Sequence, residues 1–216
     1  MPEFMAIEQF DIVRNNIVFK MINGKDTDFL MNVPHVKYLD LAIIFYYILP
    51  GDENKDEKRA ALIINECLTA WNVTVEDLMN AASVNTPKLL GLKIGGIYST
   101  IAECLGESDF MDVAEMEEES IPLYVATNDS RYNGAAVILY KDMLRAFAAK
   151  MKSDLYVIPC SVHEVILVKV ISGCQIDTDD LKDMISYVNK SSVPEADVLS
   201  DSLYYYSRAT NTLCIA

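Results

Sequence analysis

The sequence predicts an α+β protein, with a mainly helical N-terminal part and a mostly antiparallel sheet carrying helices on one face in its C-terminal part. Three observations lead there. Apolar residues recur at helical spacing through the first half. A run of acids follows at 107–120. Beyond it come short β-branched and aromatic segments separated by turn residues, the pattern of an antiparallel sheet. With 216 residues, 51% of them hydrophobic, the chain can bury a core.

The first four residues, MPEF ahead of Met5, read as vector-derived and are set aside. The stretch 12–21, IVRNNIVFKM, suggests strand pieces around an Asn-Asn turn. Tyr38, Leu41, Ala42, Phe45 and Leu49 fall at helical spacing, and Ile43, Ile44, Tyr46 and Tyr47 make that helix apolar all round, so the core or a second subunit must cover it. A further helix is expected from Lys58 to Trp71, closed by Asn72. Thr74 with Asp77 three residues on should cap the next one, which Pro87 should stop. Residues 88–106 begin irregularly and end as a helix or turn. The mainly helical part thus covers 5–106, an acidic linker 107–120 and the α+β part 121–216. Strands are expected at 123–127, 135–140, 155–159, 164–171 and in the two segments LYYYS and TLCIA. Helices should interrupt them over Lys141–Met151 and Leu181–Asn189, the second behind the acidic cap DTDD.

Asp and Glu outnumber Lys and Arg by 32 to 18, for a net charge of −14. Such a surface repels nucleic acid and anionic membranes, so neither is expected as a direct partner, and a basic protein is the natural one. Five scattered cysteines, without a Cys-x-x-Cys pair, point to a reducing cytoplasm. With two histidines, no zinc pattern can be drawn, and no metal or cofactor is expected. The Gly95-Gly96 pair lacks the Gly-Lys-Ser/Thr of a phosphate loop.

Four stretches form an ordered set: WNVTVEDLMNAASVNTPKLL, YVATNDSRYNGAAVILYKDML, LYVIPCSVHEVILV and VLSDSLYYYS. They resemble a bacterial family of unknown function, frequent in anaerobic Gram-positive bacteria and their mobile elements. Its marks fall here on Asn85-Thr86-Pro87, Asn133-Gly134-Ala135-Ala136 and Ser161-Val162-His163-Glu164. The resemblance implies no established activity, cofactor or catalytic residue. The family usually carries serine before the position of Ser161, where this chain has Cys160.

Two stretches hold candidate site residues. Cys160, Ser161, His163 and Glu164 supply the residue types of nucleophilic catalysis, which needs a nucleophile within reach of a base and the base oriented by a third group. Pro159 favours a hairpin whose loop is CSVH, and such a loop more often satisfies its own backbone than runs chemistry. In TNDSRYNGAA, Asn133-Gly134 suits a turn, while Asn128, Ser130, Arg131 and Asn133 would form a polar rim in which Arg131 could grip a carboxylate or phosphate. The favoured function is a non-enzymatic protein-binding or regulatory module. An acidic inhibitor of a nucleic-acid-binding protein and a small Ser/Cys-His hydrolase stand as alternatives. The apolar helix 37–49 and the tyrosine-rich strand Leu203–Tyr206 are expected to form either a core seam or a self-association surface that a homodimer would cover.

Overall fold

The computed structural model describes residues 9–50, 59–106, 123–170 and 177–216, so the vector-like start and the acidic linker lie outside the described residues. The fold is α+β, and every strand pairing is antiparallel. The chain divides into two compact units, one of Met1–Gly91 with Leu139–Lys141, the other of Leu92–Ile138 with Asp142–Ala216.

The first unit is itself mixed, where the sequence predicts mainly helix. After a short helix α1 (Phe10–Val13) and a 3-10 turn come β1 (Ile17–Asn23), α2 (Thr27–Leu30), β2 (His35–Tyr38), β3 (Leu41–Ile48) and β4 (Ala60–Leu62). Helices α3 (Asn65–Trp71) and α4 (Val75–Leu90) follow. The expected apolar helix over 37–49 is instead β2 and β3, joined by a two-residue turn in which Leu39 takes φ +56°. When every position is apolar, helical spacing carries no information. The β-branched and aromatic content of Ile43–Tyr47 then decides for a strand buried on both faces. β3 is central, with β1 on one side and β2 and β4 on the other. Two other expectations shift in the same way. The residues before Asn15-Asn16 are helical rather than strand, and β4 replaces the first turns of the helix expected from Lys58.

Helix α4 starts as expected, with Thr74 accepting from the Asp77 N–H at 3.2 Å and Asp77 accepting from the Thr74 N–H at 2.8 Å. It does not stop at Pro87 but runs on to Leu90, ending at Gly91 with φ +72°. Proline removes one donor without leaving helical φ, and the residues just before it are tied to β1. Asn85 Nδ2 donates to the Arg14 and Ile17 carbonyls at 2.7 and 3.0 Å. Thr86 Oγ1 accepts from the Phe19 N–H at 3.0 Å and donates to the Ala82 carbonyl at 2.7 Å. Both side chains are buried. The helix thus satisfies main-chain groups on the open side of edge strand β1.

The second unit carries the six-stranded sheet β10-β9-β7-β8-β6-β5. Its strands are β5 (Lys93–Gly96), β6 (Leu123–Thr127), β7 (Leu155–Ile158), β8 (Val165–Lys169), β9 (Tyr204–Ser207) and β10 (Thr212–Ile215), with helices α5 (Ile97–Leu105), α6 (Met143–Met151) and α7 (Thr178–Ser192). β5 occupies the stretch expected to be irregular. The segment expected as a strand at 135–140 is a 3-10 helix, Gly134–Leu139. β6 already has β5 and β8 on its two sides, so the segment that follows it cannot pair back on it as a hairpin. Helix α7 follows the expected acidic cap, Asp177 accepting from the Asp179 N–H at 2.9 Å. Asn189 of α7, buried, donates to the Ser200 carbonyl at 3.0 Å and to Asp201 Oδ1 at 2.9 Å.

The tyrosines of β9 alternate as a strand requires: Tyr204 and Tyr206 are buried, and Tyr205 turns to the other face. There its ring meets Tyr156 edge-on at 5.6 Å, and its hydroxyl donates to Asp154 Oδ2 at 2.5 Å. The Arg208 N–H donates to Asp154 Oδ1 at 2.9 Å. Among the described residues no helix is long and apolar enough to cross a membrane.

Two measurements test these joints. Asn85→Ala and Thr86→Val should each lower stability by about 1–3 kcal/mol in chemical denaturation, because main-chain groups of buried segments lose their partners. A loss no greater than that of an exposed control substitution would contradict the role given to them. The Asp154–Tyr205 pair sets a pH dependence. Hydrogen bonds from Tyr205 and Arg208 hold the Asp154 carboxyl below its ordinary 3.8, and the bond to Asp154, then burial, push the Tyr205 hydroxyl up to about 12. Asp154 therefore stabilises the fold fully above pH 3.8, a contribution lost as pH falls through its folded value. Tyr205 contributes fully below pH 10.0, and that contribution is lost as pH rises towards about 12. Denaturation series across pH should show Tyr205→Phe removing the alkaline limb and weakening the acid one, where the Arg208 N–H still holds Asp154, and Asp154→Asn flattening both limbs.

Candidate functional site

The two candidate stretches lie 30 residues apart in the chain and meet at one end of the six-stranded sheet. β7 and β8 pair as the expected hairpin, so their loop emerges where β8 begins. β6 ends beside that start, because Ala126 pairs with Val165. The loop after β6 is thereby brought against the loop before β8.

His163 joins them. The Thr127 hydroxyl donates to the His163 carbonyl at 2.8 Å, and the Asn133 N–H donates to His163 Nδ1 at 3.1 Å. A backbone N–H can only donate, so Nδ1 is an acceptor and the ring proton sits on Nε2. Nε2 faces Asp197 Oδ1 at 3.5 Å. The Tyr132 ring lies 5.0 Å from the imidazole, tilted by 38°. Around this joint the main chain is laced together. The Ala135 N–H donates to the Val162 carbonyl at 3.1 Å, and the Val162 N–H to the Asp197 carbonyl at 2.8 Å.

Gly134 sits where the two stretches touch. A β-carbon there would stand 2.1 Å from Thr127 Oγ1, 2.6 Å from the Asn128 nitrogen and 2.7 Å from the His163 carbonyl oxygen. Two of those neighbours are backbone and cannot swing away. Close approach is what requires glycine; the positive φ of the turn falls on Arg131 (+57°) and Asn133 (+54°).

The remaining candidates divide. Ser161 Oγ accepts from the His163 N–H at 3.0 Å, a local turn bond. The Ser161 N–H donates to the Glu164 carbonyl at 3.3 Å, and the Cys160 N–H to the Ile158 carbonyl at 3.1 Å. Burial, with the Glu164 charge adding to it, pushes the Cys160 thiol up to about 12. A thiol so protonated is a poor nucleophile. Both nitrogens of His163 already face other partners, Asn133 and Asp197, rather than Ser161 or Cys160.

Asn128 is 1% exposed and works inward. Its Oδ1 accepts from the Ser130 hydroxyl at 3.0 Å and the Tyr132 N–H at 3.3 Å, while Nδ2 donates to the Tyr132 carbonyl at 2.8 Å. Arg131 does grip a carboxylate, but it is the chain's own: Nη2 donates to Glu103 of α5, and Nη1 to Cys104 Sγ at 3.1 Å. Arg131, with Lys93 3.4 Å away on the other side, holds the Glu103 carboxyl below its ordinary value. These residues line an open cleft of about 320 Å³ with Leu92 and Thr100. Asp129, Ser130 and Tyr132 form the exposed tip of the loop.

Sequence reasoning missed Thr127, Tyr132, Glu103 and Asp197. Asp197 lies 34 positions from His163 in a 3-10 turn, and no local pattern could announce the pairing. The sequence marks Gly134 as a turn residue; its tight contact with His163 is a tertiary fact.

The chain belongs to a family of unknown function, DUF5688, whose family model matches residues 2–208. No curated protein and no solved structure matches it.

The joint predicts an order of stability losses. His163→Ala should cost about 1–3 kcal/mol, since the Asn133 N–H loses its acceptor. Ser161→Ala should cost less, because water can replace an acceptor at a half-buried turn. Gly134→Ala should be the most damaging of the three, through direct overlap with backbone. Thermal melts of the three variants beside wild type check the order, and an unchanged midpoint for His163→Ala would contradict it.

Proposed function

We propose that the chain is a cytoplasmic, non-enzymatic protein-binding module of regulatory role, and that it makes contact through the loop 128–133. The observation that carries this reading is the use of His163. Its ring nitrogen holds that loop at Asn133, its carbonyl takes the Thr127 hydroxyl at the end of β6 where the loop begins, and Asn128 ties the loop internally. Chemistry at His163 would need a free ring nitrogen directed at Ser161 or Cys160, whereas those residues serve the turn and the thiol stays protonated. A loop built in this way offers a fixed surface, with Tyr132 61% exposed at its tip. Aromatic side chains on rigid loops are efficient contact residues because little rotamer freedom is lost on binding. The charge of −14 favours a basic partner.

Affinity capture from the native host with wild type and Tyr132→Ala tests the reading. A partner retained by wild type and lost with Tyr132→Ala, more weakly held at high salt, is the expected result. In parallel, fluorophosphonate and iodoacetamide probes should mark neither Ser161 nor Cys160 in a His163-dependent way. Labelling of either that disappears in a folded His163→Ala variant would overturn the proposal in favour of a hydrolase.

A further inference from the structure

We propose that β10 pairs antiparallel with β10 of a second copy of this chain, joining two six-stranded sheets across a two-fold axis. The inference is independent of the loop reading above and rests on the open side of the sheet.

β10 pairs with β9 and, among the described residues, with no other strand. Which of its main-chain groups point outward follows from the ladder. The Ala216 N–H donates to the Leu203 carbonyl at 2.9 Å, in line with the register Thr212–Ser207 and Cys214–Tyr205. Bonds in an antiparallel ladder recur at every second residue. Residues 212, 214 and 216 therefore face β9, and the N–H and C=O groups of Leu213 and Ile215 face away from it.

The other strand edges are guarded. The open side of β1 is taken by Asn85 and Thr86 of α4. β2 is four residues long with exposed His35 and Lys37, and β4 is three residues long. At the far edge of the large sheet, β5 carries Lys93 and passes directly into α5. Charge, shortness and covering elements are the devices that keep edges from pairing. β10 has none of the charge: from Ala209 to Ala216 there is no charged side chain. In a chain of net charge −14, this is an edge along which two copies can approach without bringing carboxylate side chains together.

The parity of the ladder also says which partner fits. Outward-facing residues must pair with outward-facing residues, and the two-fold register that engages both of them in each β10 sets Leu213 of one copy opposite Ile215 of the other, and the reverse, with Cys214 on the axis. Ile215, 48% exposed, then gains an apolar cross-strand neighbour in Leu213. The sequence is self-complementary in that register. Like-with-like pairing closes as a dimer, whereas β10 on the β5 edge would propagate. An edge of this length makes a weak association, at the low end of interface size.

The register supplies its own probe. Two Cys214 residues in a non-hydrogen-bonded antiparallel pair would have Cα atoms about 4.5 Å apart, at the short end of the range a disulfide spans. Cys104 is also exposed, and Cys174 lies outside the described residues, so the test uses the full chain with both changed to serine. Diamide, which takes up the electron pair and both protons, should link two copies into a dimer that reducing agent reverses and Cys214→Ser abolishes. Sedimentation equilibrium of the reduced wild-type chain into the high micromolar range should show a monomer–dimer equilibrium. Ile215→Pro removes an outward N–H while sparing the bonds to β9, and should weaken association roughly tenfold or more. If that variant melts early, Ile215→Lys, which places charge on the edge, gives the same reading. A wild-type chain that stays monomeric throughout, a dimer indifferent to both substitutions, or cross-linking that persists in Cys214→Ser would each overturn the proposal.

Discussion

The second unit depends on one constraint: the polar backbone of two loops must be satisfied where they pass over the end of a sheet. A buried N–H left unpaired costs on the order of 1–3 kcal/mol. His163 meets the need twice, with Nδ1 accepting from Asn133 and its carbonyl accepting from Thr127. Because Nδ1 is thereby an acceptor, the same bonds fix the tautomer and aim Nε2 at Asp197. The position of the 128–133 loop, the glycine at 134 and the 3-10 path of the following apolar run all follow from the two loops being held this close.

The first unit solves a similar problem with different residues. Asn85 and Thr86 give the outer side of β1 side-chain partners in place of a further strand. In the second unit Asn189 does the same for the segment at Ser200–Asp201. These buried amide and hydroxyl joints connect separate segments of the chain, and removing one leaves stranded groups behind. The surface ion pairs, such as Arg14–Asp11 and Lys182–Asp179, are solvated and contribute little by comparison. Polar specificity in this fold is carried by neutral groups in the interior.

Reading the sequence worked where a local signal has a local cause. The Thr74–Asp77 box, the Asp177 cap, the hairpin around Pro159 and the turn at Asn133 are each properties of a few adjacent residues. It failed where periodicity was saturated or where a neighbour decided. The run from Leu41 to Ile48 is apolar at every position, so helix and strand patterns fit it equally. Ala135–Tyr140 has strand composition, but β6, the strand it follows in the chain, is already paired on both sides. Pro87 is a breaker by propensity, overridden by the anchoring of the two residues before it.

For the candidate site the division is similar. The sequence by itself determined which residues could do chemistry or make contacts, that the fold is α+β, and that the surface is strongly acidic, because residue types, turn propensities and charge are local or additive quantities. Only the tertiary structure decided what those residues are for. It put the 127–136 and 160–164 stretches side by side, turned Arg131 onto Glu103, raised the Cys160 thiol by burial and brought Asp197 to His163. Hydrogen-bond partnership and desolvation depend on which distant segments lie within about 3 Å of one another, and no window along the chain contains that information.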